Sequence, residues 1–307
     1  MIYTLTMNPA IDMNIQTNAP IKAGQVNRTH HAVFTPNGKG LNVSFVLAHF
    51  GIPSKIMGFF GGFSGKYIVD TSQKRGFDLL PIWIEETTRM NIFLNDGGAE
   101  YKFVNEGAQV SRSHQDEMLT QIRKAKDMEY LSISGSLPPG IAPSYYDELL
   151  TLCKEKNVSV ILDISSPKLR DLLAYHPLLI KPNDEELHAV FGYKADTHEE
   201  VFIALKKLHA EGAQNILLTL GVRGAYFSDG NAVYFASAYP VQLLSSACAG
   251  DAALAAFLSV WLHNSKDIES ALKNMAATGA NVAESNALGS FEHVERYRKK
   301  IHVRRWG

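Results

Sequence analysis

Apolar and polar residues alternate on two length scales along this chain. From about residue 113, short apolar runs suited to strands are separated by longer amphipathic runs with helical spacing. The pattern predicts strands over residues 130–134, 159–163, 178–181 and 215–219, and helices over 113–125, 145–156, 166–174 and 199–211. Two further strands are expected over 225–228 and 232–236. A buried, Ala-rich helix follows over 252–262, then helices over 268–283 and 291–300, and the chain closes on Val303-Arg304-Arg305-Trp306, read as a basic tail. Strands alternating with helices imply parallel βαβ crossovers. The expected fold class is α/β, a doubly wound, mostly parallel central sheet with helices on both faces.

The N-terminal third has a different texture. Residues 2–6 and 55–60 read as strands, with helices running through Phe45 to Gly51 and over 64–76. Residues 13–34, by contrast, are polar with short alternating stretches. Residues 87–94 and 100–104 flank Asp96-Gly97, a good hairpin turn signal. Segments 13–34 and 87–105 are therefore expected to form a small second sheet.

Composition narrows the function classes. The chain has 307 residues, 46% hydrophobic and 20% charged, enough for one large α/β domain or two smaller ones. A formal net charge of -1 gives no reason to expect nucleic acid or a membrane as partner, and the short basic tail does not change that. Cys153 and Cys248 are far apart, which argues against a disulfide framework or zinc site and fits a reducing cytoplasm. No signal peptide is expected, and no apolar run nears the ~20 residues of a spanning helix.

Candidate chemistry gathers where strands end. Residues 8–12, 135–140, 181–186 and 220–224 are loops of polar and small residues, all expected on the carboxyl edge of the sheet, where such folds bind ligands. The stretch Leu244-Ser245-Ser246-Ala247-Cys248-Ala249-Gly250-Asp251 crowds small residues before the Ala-rich helix. Free N–H groups at that helix start could hold an anion, and Asp251 could take a proton from an attacking hydroxyl or simply cap the helix. Asp12 reads either as a substrate contact or as a solvated turn residue. In Gly38-Lys39-Gly40 a cation sits between glycines, but Val33 and Gly40 break the Walker A pattern.

With these residues in view, the chain resembles the ribokinase-like carbohydrate kinases, the PfkB family. Gly38-Lys39-Gly40-Leu41-Asn42-Val43 is similar to its first signature and Ala249-Gly250-Asp251 to the end of its second. Lys181-Pro182-Asn183-Asp184-Glu185-Glu186 resembles its Asn-x-x-Glu motif, and Thr219-Leu220-Gly221-Val222-Arg223-Gly224 its nucleotide loop. Asn8-Pro9-Ala10-Ile11-Asp12 and Gly135-Ser136-Leu137-Pro138-Pro139-Gly140 point to the branch of 1-phosphofructokinase and tagatose-6-phosphate kinase. The resemblance runs in order from about residue 2 to about 290.

The resemblance implies one ribokinase-like domain over residues 1–307, with the second sheet as a β-lid and homodimer contact. It implies ATP-dependent phosphorylation of a ketohexose monophosphate in the cytoplasm, with Mg²⁺ and a monovalent cation as candidate cofactors. Fructose 1-phosphate is the first expected substrate, tagatose 6-phosphate the second and fructose 6-phosphate the third. A non-catalytic sugar-phosphate sensor is the alternative. Asp251 would be the base, with Cys248, Ala249 and Gly250 forming the catalytic turn around an anion hole. Asp12, Gly38, Asn42 and Ser136 would hold the sugar, and Arg28, Lys39 and Arg89 its phosphate. Lys181, Asn183, Thr219, Gly221, Gly224 and Asn281 would line the nucleotide, with Asn183 and Glu186 positioning Mg²⁺ through water. Asn37 and Cys248 stand where relatives usually carry glycine, and Ala252 where this branch usually has serine.

Overall fold

Every residue of β1 (Ile2–Thr6) is buried, as a strand covered on both faces requires. The computed structural model containing it describes residues 1–245, 247–285 and 287–306, so Ser246 of the stretch before Asp251 lies outside the described residues. After β1 come β2 (Ala10–Thr17), β3 (Thr29–Asn37), α1 (Lys39–His49), β4 (Ser54–Gly61) and α2 (Gly62–Lys74). Next are β5 (Asp78–Ile84), β6 (Arg89–Asn95), β7 (Glu100–Phe103), α3 (Arg112–Lys124), β8 (Tyr130–Ser134) and α4 (Tyr145–Glu155). The middle holds β9 (Ser159–Asp163), α5 (Leu169–Leu172), β10 (Leu179–Ile180), α6 (Asp184–Phe191), α7 (His198–Glu211) and β11 (Ile216–Thr219). The chain ends with β12 (Ala225–Ser228), β13 (Val233–Ala236), α8 (Ala249–Trp261), α9 (Ile268–Ala283), α10 (Val294–Arg298) and β14 (Val303–Trp306).

The main sheet has the order β14-β13-β12-β11-β10-β9-β8-β1-β4-β5. From β11 to β5 all pairings are parallel, and β11 to β14 form an antiparallel meander at one end. One apolar core lies between this sheet and α3, α4 and α7, and a second lies on the other face against α1, α8 and α9. Alanines let α8 and α9 approach closely: a Cβ on Gly279 would stand 3.5 Å from that of Ala253. A separate sheet, β3-β2-β6-β7, draws on the two polar N-terminal segments. Its hairpin turns at Asp96, whose carboxylate accepts the N–H groups of Gly98 and Ala99.

Several boundaries differ from the sequence pattern for physical reasons. The terminal Val303-Arg304-Arg305-Trp306 is an edge strand, with Arg305 stacked over Tyr234 and Arg304 over Trp306. Pro81 masked β5, which tolerates it as the opposite edge strand beside Gly58. Residues 166–174 supply only the short α5 and one 3₁₀ turn, and residues 291–300 only the short α10. Conversely, α1 starts at Lys39, within the glycine stretch ahead of the helix expected through Phe45 to Gly51, and α6 fills the polar run after Asn183. No described helix is long and apolar enough to cross a membrane.

Candidate active site

Because β1, β8, β9, β10 and β11 run parallel, Thr6, Ser134, Asp163, Ile180 and Thr219 end on one edge of the sheet. The N-terminus of α8 holds the buried acid Asp251, to which that edge contributes charged neighbours. Its N-cap is Cys248, in the left-handed region at φ 63, with no side-chain cap. The first helical bond runs from Ala252 N–H to Cys248 O at 2.9 Å. The N–H groups of Ala249, Gly250 and Asp251 therefore precede the ladder, as an anion site requires.

Asp251 is not the cap of its helix. It is the third helical residue, 5% exposed, and its Oδ2 accepts from Asn42 Nδ2 at 2.8 Å. Burial pushes its carboxyl up to about 6; Asp163 adds to the rise, while Lys39, Asn42 and Lys181 oppose it. A buried carboxylate poised near neutral pH can accept a proton from a hydroxyl.

On one side of Asp251 runs a chain of amides. Asn42 also donates to Asn37 Oδ1 at 2.8 Å, and Asn37 Nδ2 donates to Asp12 Oδ2. Asn91 donates to Asp12 Oδ1 at 2.9 Å. Burial raises the Asp12 carboxyl, against these two amides and the nearby Arg89. Gly38 supports the chain with a φ of 151 that a side chain rarely adopts, and its Cβ would stand 2.4 Å from Thr6 Cγ2. Cys248 Sγ packs against the same amides, 3.3 Å from Asn42 Nδ2, and burial raises its thiol.

On the other side stand two lysines sharing one carboxylate. Asp163, at the end of β9 and 1% exposed, meets Lys181 Nζ at 3.1 Å and Lys39 Nζ at 3.6 Å. Burial alone would raise Asp163, but these two ammonium groups hold it below its ordinary value. Asp163 in turn raises Lys39, with Asp251 and Glu186 adding to the pull. Lys181 reaches the start of α8: a Cβ on Gly250 would lie 3.5 Å from its Nζ. Two cations thus stand between the start of α8 and the ends of β9 and β10.

Asn183 and Glu186 form a capping box at α6: Glu186 N–H donates to Asn183 Oδ1 at 2.7 Å, and Asn183 N–H to Glu186 Oε2 at 3.1 Å. Ser165 donates to Glu186 Oε1 at 2.5 Å. Each Glu186 oxygen keeps a lone pair, so this hard-oxygen set also fits a water-shelled Mg²⁺. Thr219 bridges to Asn183. Gly221 and Gly224 follow at φ 56 and 96, and a Cβ on Gly224 would meet Ala236 O at 2.3 Å. Asn281 is buried, its Oδ1 accepting from His293 N–H at 2.9 Å, so it also ties α9 to the segment before α10.

Arg89 donates to the carbonyls of Asn105 and Asn8 at 2.8 and 3.0 Å beside Asp12, and burial lowers its guanidinium. Its Nε is buried without a partner among the described residues. Ser136 is exposed and takes a long 3.4 Å bond from Asn8. Arg28 is exposed in the connection between β2 and β3. Of the three cations expected at one phosphate, Lys39 is paired with Asp163, Arg89 lies by Asp12, and no contact joins Arg28 to either among the described residues.

Three residues of this arrangement carry no role in the sequence reading: Asp163, Asn37 and Asn91. An acid ending a strand on the carboxyl edge was a usable signal for Asp163. Asn37 stood out only as a departure from glycine, and nothing local marked Asn91.

The chain is similar to known proteins over nearly its whole length. A family model described as pfkB family carbohydrate kinase matches residues 3–293. The chain is 49% identical to a D-tagatose-1-phosphate kinase of Klebsiella oxytoca, over 99% of both proteins. It is 31% identical to a 1-phosphofructokinase of Bacillus subtilis, over 99% of this chain and 100% of that protein. Among solved structures it is similar to phosphofructokinase-2 of Escherichia coli in complex with potassium, with TM-score 0.89 and 26% identity over 97% of this chain and 98% of that one. A buried acid at a free helix N-terminus with two lysines near it can support phosphoryl transfer to a hydroxyl. With the family match spanning nearly the whole chain, the protein belongs to the pfkB family of carbohydrate kinases, phosphotransferases whose acceptor is an alcohol group.

Proposed function

We propose that this chain transfers the γ-phosphoryl group of ATP to the 6-hydroxyl of a ketohexose 1-phosphate, giving the 1,6-bisphosphate. D-tagatose 1-phosphate is the first substrate, ahead of the fructose 1-phosphate expected from the sequence, and is supported by the 49% identity to a D-tagatose-1-phosphate kinase. Fructose 1-phosphate is the second, supported by the relative named 1-phosphofructokinase. The observation that carries the reading is Asp251, a buried, uncapping carboxylate within a free helix N-terminus.

Asp251 accepts the proton of the attacking hydroxyl. The N–H groups of Ala249, Gly250 and Asp251, with Lys39 and Lys181, offset charge developing on the transferred group. Asp12 and Asn42 hold sugar hydroxyls, and the Arg89 guanidinium, close to Asp12, supplies positive charge for the substrate's phosphate. Thr219, Gly221 and Gly224 flank the nucleotide. Mg²⁺, held through water by Asn183 and Glu186, would neutralise nucleotide phosphate charge. The β3-β2-β6-β7 sheet closes over the sugar as a lid, excluding water. Exposed Val33, Phe34 and Phe103 on that sheet, with Val104 just after it, suit a homodimer contact. A monovalent cation is a further ligand, by analogy with the potassium-bound relative. Use of ATP and the two free thiols suit the cytoplasm.

A coupled ADP-release assay over a panel of ketohexose phosphates tests this. Turnover is expected with D-tagatose 1-phosphate and fructose 1-phosphate. Binding without turnover for every member would instead make the protein a sensor.

A further inference from the structure

We propose that Asn37 is a positioning residue that locks the sugar-side acid Asp12 and the base Asp251 into one amide-linked frame. The terms sugar-side and base rest on the function proposed above; the frame itself is geometric. The Asn37 amide has only one orientation open to it. Its Oδ1 accepts two donors, Gly38 N–H at 2.6 Å and Asn42 Nδ2 at 2.8 Å, so its nitrogen must face Asp12. The backbone beside it packs closely on β1, where a Cβ on Gly38 would clash with Thr6 Cγ2.

Asn42 completes the link. A primary amide has two N–H bonds, and the two shortest contacts of Asn42 Nδ2 are to Asn37 Oδ1 and Asp251 Oδ2, both at 2.8 Å, with Cys248 Sγ a longer third acceptor at 3.3 Å. Without Asn37, Asn42 could rotate and turn its own oxygen toward Asp251, where carbonyl and carboxylate repel. Asp12 would lose one of its two amide donors, leaving only Asn91. Cys248 Sγ closes the remaining side, 4.0 Å from Asn37 Oδ1, so the two positions that depart from glycine touch each other. The charged groups facing Asp251 from other elements are Lys39, Asp163 and Lys181, and none of them contacts Asn37 among the described residues. Asn37 thus reaches the base through Asn42, with the Cys248 thiol at the cap of α8 as its other neighbour on that side. A hydroxyl seated by Asp12 then meets a base at a fixed spacing, and a misplacement of about 1 Å can cost about 10²-fold in rate.

The test compares wild type with Asn37→Gly, Asn42→Ala and the double variant in the kinase assay. Asn37→Gly is expected to lower kcat by about 10-fold or more and to move the acid limb of its pH profile upward, since Asp251 loses an oriented donor. The two losses should not multiply fully: the double variant should be only slightly slower than Asn42→Ala, the remainder reflecting the direct contact of Asn37 with Asp12. Asn37→Asp keeps the acceptor but sets a carboxylate against Asp12, so its main effect should be a raised KM for the sugar phosphate. Wild-type kcat, KM and pH profile in Asn37→Gly, or losses that multiply fully, would overturn the proposal. If wild type turns over no ketohexose phosphate, the proposed function fails while the frame stays testable. Carbon-13 titration of the Asp12 and Asp251 carboxyls should then move upward in Asn37→Gly, and unmoved midpoints would refute it. Should the glycine variant not fold, Asn37→Asp is read by the same titration, with Asp12 again expected to rise and an unmoved Asp12 refuting the link.

Discussion

Asp251→Asn should make the folded protein more stable above pH 6 while it removes turnover. The Asp251 carboxyl is buried and raised from 3.8 to about 6, with desolvation as the largest cause. A raised carboxyl is one the fold prefers protonated. Its favourable contribution is complete below the unfolded value near 3.8 and is lost as pH rises through about 6. A gap of about two units corresponds to about 3 kcal/mol. The amide has nearly the same shape, carries no charge and still accepts from Asn42. Urea unfolding should therefore find the variant more stable than wild type by up to about 3 kcal/mol at pH 8. That margin should shrink below pH 6 and close near pH 4. The same substitution should lower kcat by roughly 10²–10⁴. Equal or lower stability at pH 8, or a margin that does not change with pH, would refute the buried-charge argument. Unchanged kcat would remove Asp251 from the chemistry.

Asp163→Asn should destabilise the protein by about 3–5 kcal/mol at pH 7, because it leaves Lys181 buried and Lys39 half-buried without their carboxylate; a change under about 1 kcal/mol in urea unfolding would show that water already screens the trio. Gly38→Ala should cost at least about 2 kcal/mol, from the positive φ and the 2.4 Å approach to Thr6, and a thermal melt with no fall in Tm would contradict that close approach. Cys248→Gly should be more stable than Cys248→Ala by about 1 kcal/mol, since both lose the sulfur and only alanine keeps a Cβ at φ 63. Equal stability of the pair would mean that the left-handed turn stores no strain.

The sheet was the most legible part. Apolar strands of β1, β8, β9 and β11 are short, bounded and fully patterned, and the parallel order follows from their alternation with helices. Less legible were elements whose identity rests on partners. Nothing local distinguishes a basic tail from β14 until β13 supplies hydrogen bonds, and Pro81 hides β5 until its position at the sheet edge makes the missing donor harmless. In the site, the glycine stretch and Asp251 were visible because their demands are local: a backbone that needs φ > 0, and an acid at a helix start.

Local signals along the chain set the inventory: which strands alternate with which helices, where glycine is obligatory, and which loops share an edge. Those are consequences of periodicity and backbone sterics, which act over a few residues. The pairings between distant residues come from folding. Asn42 and Asp251 are 209 residues apart in the chain, and Asn37 and Asp12 are 25 apart, yet each pair is in hydrogen-bond contact. Asp163 looks like any acid ending a strand until folding brings Lys39 and Lys181 onto it. Charges and hydrogen bonds depend on distance in space and on exclusion of water, and neither is written in the spacing of residues along a chain.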